Sequence, residues 1–272
     1  MQELTLKELQ QVSLEILTDV HNFCVSNHIN YSIAYGSLIG AIRHKGFIPW
    51  DDDVDIVMPR PDYERFCNTY TSTKFDLIYY GNDKSALAGF ARIVDCKKTV
   101  FKAERPWTKK DSGVWIDLFP IDGAEDDILK YAKRYHRMKK ICSIAYKFRR
   151  QNHNISHKDS ILSIAKTIIA RAISLNGYIP SLMIKHLVEL EKKVDFNNSK
   201  YFGQCSCLDD GPIQFCKDDF NSYVKVKFEN THFFAMTGYE NHLKQLYGDF
   251  MKLPPIEQRK PKQYWIKFYW RN

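Results

Sequence analysis

Between Trp50 and Pro59 the chain reads WDDDVDIVMP, which places four carboxylates, Asp51, Asp52, Asp53 and Asp55, within five positions. Like charges so close repel one another unless something positive sits among them. Asp53 and Asp55 are two residues apart, and at the start of a strand the alternation of side chains puts both on one face. Two carboxylates on one face suit a hard divalent cation. Mg²⁺ takes oxygen ligands and commonly leaves positions for substrate phosphates, so the pair fits phosphoryl chemistry better than a closed cage. Asp117, in GVWIDLFPID, is the expected third acid, because an unpaired charge in that apolar run would be costly. The predicted metal and catalytic set is therefore Asp53, Asp55 and Asp117, holding one or two Mg²⁺ (or Mn²⁺) ions.

Upstream, Gly36-Ser37 reads as a turn between a short strand and a short helix, offering backbone N–H groups and a hydroxyl to a phosphate. Arg43, His44 and Lys45 precede the acids and could clamp phosphate oxygens, Arg43 through a forked contact. Arg92, in GFARIVD, is a second candidate clamp. Trp50 and Asp51 complete the expected substrate site. Each has a structural alternative: Asp51 and Asp52 as a solvated loop, Arg43 as a surface cation, Asp117 as a salt-bridged acid. Arg92 could instead pair with Asp95 or another acid, and Trp50 and Trp115 could be core.

These residues need elements to position them. Leu6, Leu9, Ile16, Leu17, Val20 and Phe23 recur at helical spacing and predict an amphipathic helix from Leu6 to Asn27. YSIAY (31–35) and VDIVMP (54–59) read as strands, a helix begins near Pro61, and further strands are expected around 75–80, 88–94 and 114–119. After Gly123 the character changes. From Lys130 to Arg171 twelve Lys or Arg face one acid, Asp159, in segments that read as helical up to Arg150 and again from Asp159. A helix over 181–194, an irregular Cys- and Asp-bearing region, a strand over 223–229, a helix over 238–248 and a Pro-broken aromatic tail complete the pattern. The fold class is α/β (α+β): a catalytic core with a mixed sheet over 1–123, and a helical basic region over 124–272 packed on it as one compact unit.

Composition narrows the classes of partner. The 272 residues are 44% hydrophobic and 26% charged, the balance of a globular chain, and the formal net charge of +8 points to anionic partners. Seven scattered cysteines suggest a reducing compartment rather than a disulfide framework, and MQELTLKELQQ lacks the basic start and apolar core of a signal peptide. The most apolar stretch, 161–184, is interrupted by Lys166, Arg171, Asn176, Gly177 and Pro180 and does not span a bilayer. The expected location is cytoplasmic, with the basic helices in peripheral contact with an anionic membrane at its inner face. Cys205, Cys207 and Cys216 resemble part of a zinc site but lack paired spacing and a fourth ligand. His232 and His242 read as structural.

Gly-Ser, then Asp-x-Asp, then one more carboxylate matches the nucleotidyltransferase-fold arrangement. More closely, 36–59 together with LYGDFMKLPP (246–255) resembles the LicD/fukutin-related family of phosphotransferases, whose bacterial members include phosphorylcholine transferases. The resemblance implies a CDP-alcohol donor, typically CDP-choline, and a sugar hydroxyl of a surface glycan, teichoic acid precursor or lipid-linked oligosaccharide as acceptor, with release of CMP. It implies Asp53 and Asp55 as metal ligands, Asp117 as third acid and Gly36-Ser37 as the phosphate-contacting turn. Ser37 stands where the family often has Thr, which keeps a hydroxyl, and RKPKQYWIKFYW departs from the family after the LPP. Asp117 is the preferred general base, being the acid least committed by the D-x-D geometry. A choline ammonium would need aromatic faces, for which Trp50, Trp107, Trp115 and Tyr247 are candidates. Two rivals stand beside this reading: a nucleotidyltransferase that passes NMP from an NTP and releases pyrophosphate, and a nucleic-acid-binding module. For the second, no helix-turn-helix, RRM or zinc-finger pattern is present.

Overall fold

Helix α1 (Leu6–Ser26) begins at a capping box, in which the Thr5 hydroxyl accepts from the Glu8 amide and the Glu8 carboxylate accepts from the Thr5 amide. Leu9, Val12, Ile16, Leu17, Val20 and Cys24 lie on its buried face; of the predicted stripe, Leu6 and Phe23 are half-buried instead. The computed structural model describes residues 1–83, 86, 89–103, 112–149, 178–203, 211–261 and 266–272. Within them, α1 packs on a mixed sheet ordered β1 (Ser32–Ile33), β2 (Asp55–Pro59), β6 (Trp115–Ala124), β4 (Ala91–Val94), β3 (Asp76–Ile78). β2 and β6 run parallel and are buried on both sides, which is why both read as nearly continuous apolar runs. The other pairs along this path are antiparallel.

Two helices follow strands directly. Between β1 and β2, α2 (Tyr35–Ile39) continues into a single π turn, Gly40–His44, which ends at Lys45 in the left-handed conformation. After β2, α3 (Arg60–Thr69) carries a proline in its first turn. Gly36 and Ser37 therefore lie inside the first turn of a helix rather than in a turn before one, and Tyr35 enters that helix with φ of 48°, a strained value for an aromatic residue.

The chain beyond 123 is less purely helical than its composition predicts. Helices α4 (Ile128–Arg149) and α5 (Tyr178–Glu191) pack together over Tyr131, Tyr135, Met138, Ile184, Leu187 and Val188. Among the described residues five strands accompany them. β7 (Tyr201–Gly203) adds to β6, and β8 (Phe215–Cys216) adds to β7. β9 (Tyr223–Phe228) and β10 (Thr231–Met236) form a hairpin beside β1. The Pro-broken aromatic tail ends in a strand, β11 (Ile266–Trp270), paired with β5 (Thr99–Ala103). Its alternation was hidden by aromatics at successive positions, of which Phe268 is buried against Trp115. Helix α6 (Tyr239–Tyr247) matches its expected range closely.

Buried ions tie the two halves of the chain. Arg60 donates from Nε and Nη2 to the two oxygens of Asp122, both at 2.6 Å, and Nη2 also reaches Glu191 of α5 at 3.0 Å. Arg134 of α4 is buried as well, donating to Glu125 and to the carbonyls of Gly123, Leu190 and Glu191. It is thus a structural residue, not part of the exposed basic face, where Lys130, Lys133, Arg137, Lys139 and Lys140 stand. The expected second basic helix, Cys205, Cys207 and Trp107 lie outside the described residues. Among the described residues no helix is long and apolar enough to cross a membrane.

Candidate functional site

The acidic run approaches the sheet differently from the sequence-based expectation. β2 starts at Asp55, so Asp53 belongs to the loop before it and strand alternation does not set its direction. Instead the loop curls, and Asp51, Asp52 and Asp53 bring one carboxylate oxygen each within 4.8 Å of one another. This donor set, all hard oxygens and half-buried or buried, could hold a metal ion. Asp55 meets Asp117 across the sheet: they are register partners in the parallel β2–β6 ladder and so project from one face. Arg92, on β4, is in turn the register partner of Asp117 and donates from Nε to its Oδ1 at 2.7 Å. The row Asp55, Asp117, Arg92 runs over three strands, with the guanidinium also over the Trp115 ring at 4.8 Å. Arg92 is thus the ion-pair partner of Asp117 rather than an open phosphate clamp.

Gly36 and Ser37 hold the acids in place. The Ser37 hydroxyl accepts from the Asp55 amide at 3.0 Å, anchoring the start of β2. A Cβ on Gly36 would lie 2.6 Å from Asp51 Oδ2, so only glycine lets that carboxylate settle against the helix. Asp51 itself is buried, and the Gln10 amide donates to its carbonyl at 2.9 Å. It is no solvated loop residue.

Over Asp51 opens a cleft of about 550 Å³, lined among others by Gly36, Arg43, Trp50, Tyr247, Lys252 and Lys260. One wall comes from α2 and the π turn, the other from the segment after α6. Arg43 joins them, donating from Nη1 to the carbonyls of Phe250 at 2.7 Å and Lys252 at 3.1 Å. Its first role is to staple a loop more than two hundred residues away in sequence. Burial, followed by the charge of Arg259, lowers its pKa. Burial and Arg43 likewise lower the pKa of His44, whose ring meets Trp50 edge-on at 6.3 Å.

Among the expected site residues, Gly36, Arg43, Trp50 and Asp51 meet in this cleft, while Asp55, Asp117 and Arg92 meet on the sheet. Lys45 joins neither: its ammonium donates to the Ile42 carbonyl and its own carbonyl accepts from Glu229 at the β9–β10 turn. Trp115 is a core residue packed on Phe101 and Phe268, so of the described candidates Trp50 and Tyr247 are the ones at the cleft. Lys252, Arg259 and Lys260 were missed by the sequence reading. The signal available for them was LYGDFMKLPP, which pointed to the family but named no functional side chain.

Comparison with known proteins gives a consistent result. Residues 28–159 match the family model described as LicD/FKTN/FKRP, nucleotidyltransferase domain. The lipopolysaccharide cholinephosphotransferase LicD of Haemophilus influenzae is 34% identical over 272 residues, covering 96% of this chain and 97% of that protein. Uncharacterised proteins of Rickettsia typhi and Rickettsia prowazekii are similar over shorter stretches. The first is 40% identical over 62 residues, 22% of this chain and 20% of its own. The second is 44% identical over 48 residues, 18% of each.

Proposed function

Since the chain belongs to the LicD/FKTN/FKRP nucleotidyltransferase family and is a transferase of the phosphocholine-transferase type, we propose that it moves phosphocholine from CDP-choline to a sugar hydroxyl of lipopolysaccharide or a related surface-glycan precursor. The observation that carries this reading is the meeting of the two family-like stretches, 36–59 and 246–255, at one cleft that Asp51, the first residue of the acidic run, helps to line. An enzyme acting on a diphosphate needs a cation site and a positively lined pocket side by side, and a carboxylate cluster that could hold a cation adjoining a cleft lined by Arg43, Lys252 and Lys260 supports this reading.

Mg²⁺ held at the clustered carboxylates of Asp51, Asp52 and Asp53, with Asp55 and Asp117 next on β2 and β6, would neutralise the diphosphate and stabilise departing CMP. The chain's own groups do the rest. Asp117, oriented by Arg92 at Oδ1, takes the proton of the acceptor hydroxyl at Oδ2. The hydroxyl oxygen bonds to the phosphorus that bears choline, the bond from that phosphorus to the bridging oxygen breaks, and CMP leaves with the electron pair. Ser37 holds the register of Asp55, and Trp50 and Tyr247 offer faces to the quaternary ammonium. In the cell the enzyme works at the cytoplasmic face of the membrane, with the exposed cations of α4 toward anionic headgroups.

Product analysis tests this. Mg²⁺-dependent release of CMP from CDP-choline is expected, whereas pyrophosphate release from an NTP would mean the nucleotidyltransferase that the family model's description also allows. Asp53→Asn and Asp55→Asn should abolish turnover in a folded protein. Retention of more than about a tenth of the activity, a loss under about 1.4 kcal/mol of transition-state stabilisation, contradicts their role.

A further inference from the structure

We propose that Lys252, Arg259 and Lys260, on the segment after α6, form a clamp for the diphosphate of a nucleoside-diphosphate donor, an assignment that rests on the transferase reading above. The cleft has two unlike sides. Its floor is Asp51, the first of the clustered carboxylates, and its far wall carries Lys252 and Lys260. Arg259 lies over the cleft-lining Trp50, with its guanidinium carbon 5.6 Å from the ring centroid. Arg43 faces this wall as a fourth cation, close enough to Arg259 that the second charge adds to burial in lowering its pKa.

Four cations gathered at a partly enclosed cleft repel one another, and an anion among them relieves that repulsion. The acids nearby are Asp51 and Asp249, which line the cleft, and Glu257, which lies on the same segment. Among the described residues, none of the ion pairs involves Arg43, Lys252, Arg259 or Lys260. The wall is positioned without using up the clamp. Arg43 grips it by its carbonyls, and Arg259 bonds the Pro254 carbonyl at 2.9 Å through Nε. An anion held between this wall and Asp51 touches the positive side chains with one end and the cation site with the other. A diphosphate carries negative oxygens at both ends, one set for these side chains and one for a cation held at Asp51 and its neighbours.

Titration calorimetry with CDP-choline and with inorganic pyrophosphate, each with Mg²⁺, tests the clamp. The variants are Lys252→Gln/Lys260→Gln, which alters two exposed side chains, and Arg259→Gln, with melting temperature as the folding control. The double variant should bind both probes at least about tenfold more weakly, the loss expected for one charge-assisted hydrogen bond. In the unaltered protein, pyrophosphate should compete with CDP-choline. Unchanged affinities in the folded lysine variant, or pyrophosphate that binds without competing, overturn the clamp even where CDP-choline is turned over. Lysine-dependent binding of pyrophosphate with no binding of CDP-choline supports the clamp and instead overturns the choline reading.

Discussion

His242 of α6 is buried completely, wedged against Phe215 at 4.3 Å and Phe202 at 6.3 Å between ring centroids. Neither ring nitrogen has a hydrogen-bond partner among the described residues. Burial alone holds its pKa at about 4, down from 6.5. The unfolded chain therefore binds a proton that the folded one refuses, and stability falls as pH drops from about 6.5 toward 4. The full window is worth about 3 kcal/mol, and roughly 2 kcal/mol of it is lost between pH 7 and pH 5. Replacing the imidazole by an apolar side chain, His242→Phe or the smaller His242→Leu, removes this contribution. It also removes two unsatisfied polar atoms, so the variant should be no less stable at neutral pH. Urea unfolding of each protein at a series of pH values gives the comparison, because the carboxylates contribute equally to all and cancel in the difference. The unaltered protein should lose about 2 kcal/mol more than the variants between pH 7 and pH 5. Parallel pH profiles would refute the reasoning and mean that the folded imidazole accepts a proton as readily as the unfolded one.

Gly36→Ala should leave the fold intact but displace Asp51, whose Oδ2 lies 2.6 Å from the added Cβ; the half-saturating Mg²⁺ concentration for turnover should rise several-fold, and an unchanged Mg²⁺ curve would count against the role of Asp51. Arg43→Met removes the Nη1 donor shared by two carbonyls, so the wall formed by 250–260 loosens and KM for the donor should rise about tenfold with a smaller change in kcat, read by steady-state kinetics. Arg60→Met strands Asp122 and Glu191 as buried charges without their cation, a loss of about 3–5 kcal/mol that thermal or chemical unfolding would show, and a shift under about 1 kcal/mol would deny the triad its structural weight.

Much of this protein was legible in local chemistry. The apolar stripe of α1 and the nearly continuous apolar runs of β2 and β6 were visible, because helix and strand periods are written into residues a few positions apart. The acids were visible for the same reason: four carboxylates in five positions need a cation wherever they lie. What the run could not say was how its members divide. Alternation pointed to Asp53 with Asp55, whereas the strand starts one step later and the loop gathers Asp51, Asp52 and Asp53.

Contacts between distant segments required the tertiary structure. Arg92 belongs to Asp117 because β4 and β6 meet in one particular register, and Asp55 lies beside Asp117 because β2 and β6 do. Arg43 is a staple, Lys252 and Lys260 line the cleft and Arg259 lies over Trp50, because the chain after α6 returns to the π turn more than two hundred positions earlier. Lys45 shows the converse, since a cation two residues from Arg43 is drawn off to cap its own helix and dock on a hairpin. The sequence by itself determined the chemistry, which residue types are present and the local elements that carry them, since these depend on neighbours along the chain. Only the tertiary structure decided which of those charges face one another, since pairing follows from strand register and from the burial that makes an unpaired charge too costly to keep.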